Sequence, residues 1–293
     1  MSNTTIHAWQ VLGAVAPTAL TQARLTAHWA AQVLSAAADA AIEHKPDDSH
    51  SNVEWLAEHN ALTGHLIGDK MRIGLRLADL TLLVLSAKST DDKAVAVTAE
   101  LALDGATLDR ANAWVASQIE THVGSLLAKP IKLRDYEMPD HPARQGEPFA
   151  IGPMVPALEE LGRWFANADR VLRSLRQQNS NASPVACWPH HFDIATLIVL
   201  DPGEDAEKAR SIGVGLSPGD STYDEPYLYV NHWPIVAESE RPALKVGQWA
   251  PFGAVLLGSQ LVDTSAAEAE AQKERALAFI RSSVDLSRSL LAD

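Results

Sequence analysis

Residues 158–175 read LEELGRWFANADRVLRSL. Their apolar positions, Leu158, Leu161, Phe165, Ala168, Leu172 and Leu175, step by 3, 4, 3, 4 and 3, the spacing of one helix face turned to a core. Residues 20–37, LTQARLTAHWAAQVLSAA, repeat those steps at Leu20, Ala23, Ala27, Ala30, Leu34 and Ala37, each 138 residues earlier. Alanine-rich helices reach such spacing by chance, so the helix pair only suggests a repeat.

The segments that follow strengthen it. His50-Ser51-Asn52-Val53 corresponds to His191-Phe192-Asp193-Ile194, offset by 141, and Ile73-Gly74-Leu75-Arg76-Leu77 to Ile212-Gly213-Val214-Gly215-Leu216, offset by 139. Each glycine-bearing strand is followed by an aspartate, Asp79 or Asp220, then by an apolar strand and a fourth strand ending at Asp104 or Asp263. The offset drifts only across expected loops, where insertions are tolerated. Residues 107–122 predict a helix with Trp114 buried and Gly124 as C-cap. Ser265-Ala266-Ala267-Glu268 has the form of a capping box, and Leu277, Ile280, Val284 and Leu291 supply the core face of the helix behind it.

The expected fold is therefore α+β: two similar α-β-β-β-β-α halves with mostly antiparallel strands, in a pseudo-twofold arrangement. They span residues 1–128 and 157–293. A connector over 129–156 carries Pro130, Pro139, Pro142, Pro148, Pro153 and Pro156. Proline removes backbone donors and blocks helix and central strand, so this stretch is expected to lie along the surface. The run 192–200 is nearly all apolar after Asp193, which predicts a central strand covered on both faces.

Composition is that of an ordinary globular protein, 46% hydrophobic and 21% charged over 293 residues. A net charge of −13 argues against nucleic-acid binding, which needs a basic footprint, and against an anionic membrane surface. Arg163, Arg170, Arg173 and Arg176 share one expected helix and read as its solvated face. Cys187 is the lone cysteine, so no internal disulfide can form. With no signal-peptide pattern over residues 1–14 and no apolar run of membrane length, the expected location is cytoplasmic.

The chemistry-bearing residues concentrate in the second half. Cys187-Trp188-Pro189-His190-His191-Phe192-Asp193 stands at the mouth of an expected strand, where alternation puts His191 and Asp193 on one face and His190 on the other. A histidine and a carboxylate together can serve as a general acid/base pair or hold a divalent metal. Further ligands would come from His50, His232, Asp220, Asp224 or Glu225. The plainer alternative is that His191 caps the strand while Asp193 bonds to nearby backbone. In the first half Asn52 replaces the carboxylate, so a symmetric metal site is not expected.

Residues 217–227, SPGDSTYDEPY, crowd Asp220, Tyr223, Asp224, Glu225 and Tyr227 behind a Pro-Gly turn. They are able to bind a cation or a polar ligand, or to form a solvated loop. His232, beside Trp233, either faces the same site or is simply packed. Gly215-Leu216-Ser217-Pro218-Gly219 fits a nucleophile-elbow pattern, but no helix is expected directly after Ser217, as that device requires. Phosphate-loop, dinucleotide-binding, H-E-x-x-H and C-x-x-C motifs are absent.

The segments Trp188-Pro189-His190-His191-Phe192-Asp193, Gly215 to Asp220 and Glu225-Pro226-Tyr227-Leu228-Tyr229 together resemble a bacterial family catalogued only as a domain of unknown function. The likeness covers the last third of the chain well and the rest loosely. It implies no activity, and no residue takes a role from it.

Two functional readings stand at this level. In one, the chain is a small-ligand-binding protein or structural homo-oligomer with a pocket in the second half or at the seam. In the other, it is a hydrolase using His191 and Asp193, with or without a divalent metal.

Overall fold

The computed structural model describes residues 8–87, 95–203, 208–263 and 268–292. The chain folds as two antiparallel sheets with helices, an α+β architecture. Its elements run α1 (Thr21–Ala41), β1 (Glu54–Leu56), β2 (Ala61–Thr63), β3 (Met71–Arg76), β4 (Thr81–Ser86), β5 (Val97–Ala102) and α2 (Leu108–Val123). Then follow α3 (Val155–Gln178), β6 (Ala186–Trp188), β7 (Asp193–Val199), β8 (Ser211–Ser217), β9 (Tyr227–Trp233), β10 (Gln248–Ala250), β11 (Gly253–Leu257), α4 (Gly258–Leu261) and α5 (Ala269–Leu290).

Both stretches thus run helix, strands, helix. They carry five and six strands where four apiece are expected, and their topologies differ. The first sheet is a simple meander, β1-β2-β3-β4-β5, whereas the second runs β10-β11-β9-β8-β7-β6.

One compact unit comprises Ala19–Gly162 and Val185–Ile194. Its centre is α1, packed on α2 and β3. The expected stripe Leu20, Ala23, Ala27, Ala30, Leu34 and Ala37 is buried, but burial extends well past it, to Arg24, Thr26, His28, Gln32 and Ser35. Alanine accounts for this, because methyl side chains let neighbours approach the helix from every side. Thr26, His28 and Gln32 among these enclosed groups are matched to backbone, as burial requires, whereas the buried Ser35 Oγ makes no hydrogen bond among the described residues. Thr26 Oγ1 donates to Gln22 O at 2.8 Å. Gln32 Nε2 donates to Pro189 O at 2.6 Å, and His28 Nε2 meets the same carbonyl at 2.9 Å. Strand β4 is buried at Thr81–Leu85, while β5 alternates between half-buried and exposed positions.

Helix α2 begins at Thr107, whose side chain accepts from Arg110 N, and ends on left-handed Gly124, as expected. Trp114, expected to be buried, is half-exposed; Ala111, Val115 and Ile119 form the buried stripe, and Trp114 sits at its margin.

The proline-rich connector departs from expectation in part. It contains two short 3-10 turns, Pro142–Gln145 and Gly152–Met154, and α3 already begins at Val155. Most of residues 129–156 is exposed or half-buried, as expected, but the stretch also packs inward. Met138, Ala143, Phe149 and Ile151 are buried. Gly105 N donates to Phe149 O at 2.8 Å, Phe149 N to Ala106 O at 2.9 Å, and Trp29 Nε1 to Pro139 O at 2.9 Å.

The other unit comprises residues up to Thr18, Arg163–Pro184 and Ala195–Asp293. Here β8, β9 and β11 pair antiparallel and pack against α5. Every position of the 158–175 stripe along α3 is buried, as expected. Strand β7 alternates instead of being covered on both faces, and Leu197 is 43% exposed. Its neighbour β6 is the terminal strand of the sheet, where enclosure is least. In α5, Ile280, Val284 and Leu291 are buried but Leu277 is only half-buried; Phe279 and Ala276 take its place. The capping box expected at 265–268 falls largely outside the described residues, and described Glu268 makes no side-chain cap. Among the described residues, no helix is long and apolar enough to cross a membrane.

Candidate functional site

The sharpest concentration of chemistry-bearing side chains forms where α1 ends. The chain leaves the helix at Ile42 and folds over residues 45–51 as two successive turns, with Asp48 N donating to Lys45 O and Ser51 N to Asp48 O, both at 3.0 Å. Pro46 presets the first turn. Asp48 adopts a left-handed backbone, φ 56°, which aspartate tolerates better than most residues. Among the described residues, His44, Asp48 and His50 thereby bring one ligand atom each to within 4.8 Å of one another. His44 is exposed, Asp48 half-buried and His50 buried, so the group opens to solvent on one side.

Two further residues complete it, one near in sequence and one distant. Asp39, in the last turn of α1, lies 2.8 Å through Oδ1 from His50 Nε2. A carboxylate there opposes the helix dipole, and Arg134 from the connector compensates. Its Nε and Nη2 donate to the two Asp39 oxygens. Its Nη1 donates to Asp48 Oδ1 at 2.8 Å and to Tyr136 Oη at 2.6 Å, and its Nη2 stands 3.1 Å from His50 Nε2. Burial raises the Asp39 carboxyl, but the Arg134 and His50 contacts outweigh it and hold the group below the ordinary aspartate value. The Asp39 bonds likewise raise the Arg134 guanidinium further, so it stays charged at any working pH.

These bonds select a tautomer for His50. Lys45 N donates to Nδ1 at 3.3 Å, so Nδ1 is the acceptor and Nε2 carries the proton toward Asp39. His190 joins the margin, its ring 5.1 Å from Tyr136 and 4.2 Å from His191. Burial, with the neighbouring His191, lowers its pKa.

Of the ten residues singled out from the sequence, His50 and His190 therefore belong to this region. His191 is an exposed neighbour of His190 in the turn between β6 and β7, where His191 N donates to Trp188 O at 3.0 Å. The expected strand alternation does not reach it: Pro189 ends β6, and Phe192 takes a left-handed φ of 58° before Asp193 opens β7. Asp193 is half-buried. Neighbouring Cys187 is fully buried, and burial, followed by the Asp193 charge, pushes its thiol up, away from nucleophilic use.

The acidic loop belongs to the other unit and is consumed locally. Asp220 Oδ1 accepts from Thr222 N at 2.7 Å and Tyr223 N at 3.1 Å, and Oδ2 from Tyr227 Oη at 2.5 Å. Glu225 accepts from Ser259 N and from Ser259 Oγ at the start of α4, as an acid near a helix N-terminus should. Asp224 is exposed. His232 is buried against Trp249, Ser287 Oγ and Val236 N; burial, then Arg241, lowers its pKa. Tyr223 and Tyr227 pack edge to face, 5.1 Å apart, in a cluster with Val255.

Asp39, His44, Asp48, Arg134 and Tyr136 were not singled out from the sequence. The usable signal was the spacing His44-x-x-x-Asp48-x-His50, which lies within a stretch that composition marks as a polar loop.

Comparison with family models, curated proteins and solved structures finds no match for the chain.

Proposed function

We propose that this is a small-ligand-binding protein whose ligand is a divalent transition-metal ion, held by His44, Asp48 and His50. One separation carries the reading. Two nitrogens bound to a tetrahedral ion at about 2.1 Å stand about 3.4 Å apart, and His44 Nδ1 lies 3.4 Å from His50 Nε2. The donor set is two imidazoles and one carboxylate. That mixture favours zinc-like ions over calcium or magnesium, which prefer all-oxygen shells. Three protein ligands leave a position for water or a further group. Asp39 Oδ1 lies 2.8 Å from that same His50 Nε2, so a carboxylate already stands beside the ligating nitrogen.

The test is isothermal titration of the full chain with zinc chloride, repeated with cobalt(II) for its visible absorption. The expected result is one ion per chain. His44→Ala is the informative variant because His44 is exposed and its loss should leave the fold intact. Affinity should fall by at least about 10-fold, the scale of losses already seen on removing groups behind the ligands. A wild-type chain that takes up no zinc or cobalt at micromolar protein overturns the reading.

A further inference from the structure

The cluster already holds a cation of its own. Arg134 Nη1 bonds Asp48 Oδ1 at 2.8 Å, and Nη2 stands 3.1 Å from His50 Nε2. Two of the three groups assigned above to the ion therefore face one guanidinium. Guanidinium does not deprotonate in proteins, so it cannot yield by losing charge. A divalent ion within coordination distance of Asp48 and His50 would meet that fixed positive charge a few ångströms away, with no water layer between to screen it. Both cannot occupy these atoms together.

We infer that Arg134 and the metal ion are alternative occupants of this cluster, and that loading the ion releases residues 134–136 of the connector. The inference rests on the metal reading and adds regulation to it. Arg134 reaches Asp39 through Nε and Nη2 and reaches Asp48 through Nη1. An incoming ion takes Asp48 and His50, and because Nη2 faces His50 Nε2 as Nη1 faces Asp48, the Asp39 pair must shift with the rest of the guanidinium. The Nη1 end that is lost also donates to Tyr136 Oη at 2.6 Å. The Tyr136 ring lies 5.6 Å beneath the guanidinium and 5.1 Å from His190. Moving Nη1 therefore unfastens Tyr136 as well. The connector is otherwise pinned at Pro139 by Trp29 and at Phe149 by Gly105 and Ala106, which confines the release to its first part.

Two measurements on the full chain test this. In hydrogen exchange followed by mass spectrometry, zinc should speed exchange of the peptide covering residues 134–136 and leave that around Phe149 unchanged. In zinc titrations, Arg134→Gln should bind on the order of 10-fold tighter than wild type, because the competing charge is gone. Arg134→Lys keeps the charge without the planar fork that bridges two carboxylates, and should fall between them. Should Arg134→Gln fail to fold, the exchange experiment and the lysine variant still decide. Equal zinc affinity in wild type and variants, or exchange at 134–136 that slows or stays constant on loading, overturns the inference while leaving the metal reading intact. Tight binding by Arg134→Gln with none by wild type supports the exclusion and overturns the metal reading for the native chain. No binding by any of them overturns both.

Discussion

At the scale of single residues, the enclosed histidine His28 has a measurable consequence. Its ring stacks on Phe192, 5.2 Å between centroids and 8° from parallel, and its Nε2–H points at Pro189 O. Burial is the main cause that lowers its pKa from 6.5 to about 4, against the raising effect of that hydrogen bond. A histidine kept neutral in the fold is protonated more readily once unfolded. The unfolded chain therefore binds the extra proton between these two values, and stability rises with pH across the window. The contribution is complete above about 6.5 and drains away as the pH falls toward about 4. The full drop is about 3 kcal/mol. Asp39, depressed by Arg134 and His50 against the effect of burial, also loses stabilisation in acid, but below the ordinary aspartate range. Urea unfolding at pH 7, 5.5 and 4.5 separates the two, with His28→Gln as comparison. The variant should start less stable at pH 7, having lost the stack, and should show a clearly flatter decline. Parallel declines would mean that His28 does not govern this window.

At the scale of elements, α1 shows both the reach and the limit of sequence patterning. Its heptad-like stripe was legible, as was that of α3, because leucine and phenylalanine at helical spacing admit one face toward a core. That α1 is enclosed around most of its circumference was not legible. Alanine suits a buried face and an exposed one equally, and the partners of Thr26, His28 and Gln32 lie more than a hundred residues away at His141 and Pro189. The site was half-legible for the same reason. His50 and His190 stand in motifs with aromatic neighbours, whereas Asp39 and Arg134 take meaning only once the connector docks, 95 positions apart in sequence. The enclosure of α1 predicts an asymmetry between two similar substitutions. Ala30 is fully buried, so Ala30→Leu forces large atoms into a filled space and should cost about 1–3 kcal/mol. Ala113 on α2 is exposed, and Ala113→Leu should change stability by about 0.5 kcal/mol or less. Denaturant melts of both variants check this; equal effects would show that α1 has room on its alanine face.

At the scale of the whole molecule, the compact units are not the halves of the sequence. Residues 185–194 count with the unit built from Ala19–Gly162, and residues up to Thr18 count with the unit that ends the chain. Each exchange is anchored by specific bonds. Val53 and Cys187 exchange both backbone hydrogen bonds, at 2.9 and 2.6 Å. At the other end, two amide side chains clamp the N-terminal segment. Asn167 accepts from Gln10 N at 3.0 Å and donates to Gln10 O at 2.7 Å. Fully buried Gln272 accepts from Leu12 N and donates to Leu12 O, each at 2.9 Å, and also accepts from Trp9 Nε1 at 3.2 Å. Cutting the chain at the connector would strip both units at once. A fragment of residues 1–128 lacks Arg134, Phe149 and β6, leaving Asp39 without its guanidinium and the Gly105–Ala106 backbone without its partner. A fragment of residues 157–293 lacks Trp9 and Leu12, which removes these three bonds of the Gln272 amide, each worth about 1 kcal/mol, and uncovers the surface that residues 9–12 bury. Together these losses take a large share of the stability of a typical domain. Neither fragment should therefore show a cooperative thermal transition by circular dichroism. A fragment bounded at 19 and 162 retains all but the β6 segment of its unit and should melt cooperatively, though at a lower temperature than the full chain. If instead the two half-sequences melt cooperatively and the 19–162 fragment does not, folding autonomy follows the sequence halves and not the contacts described above.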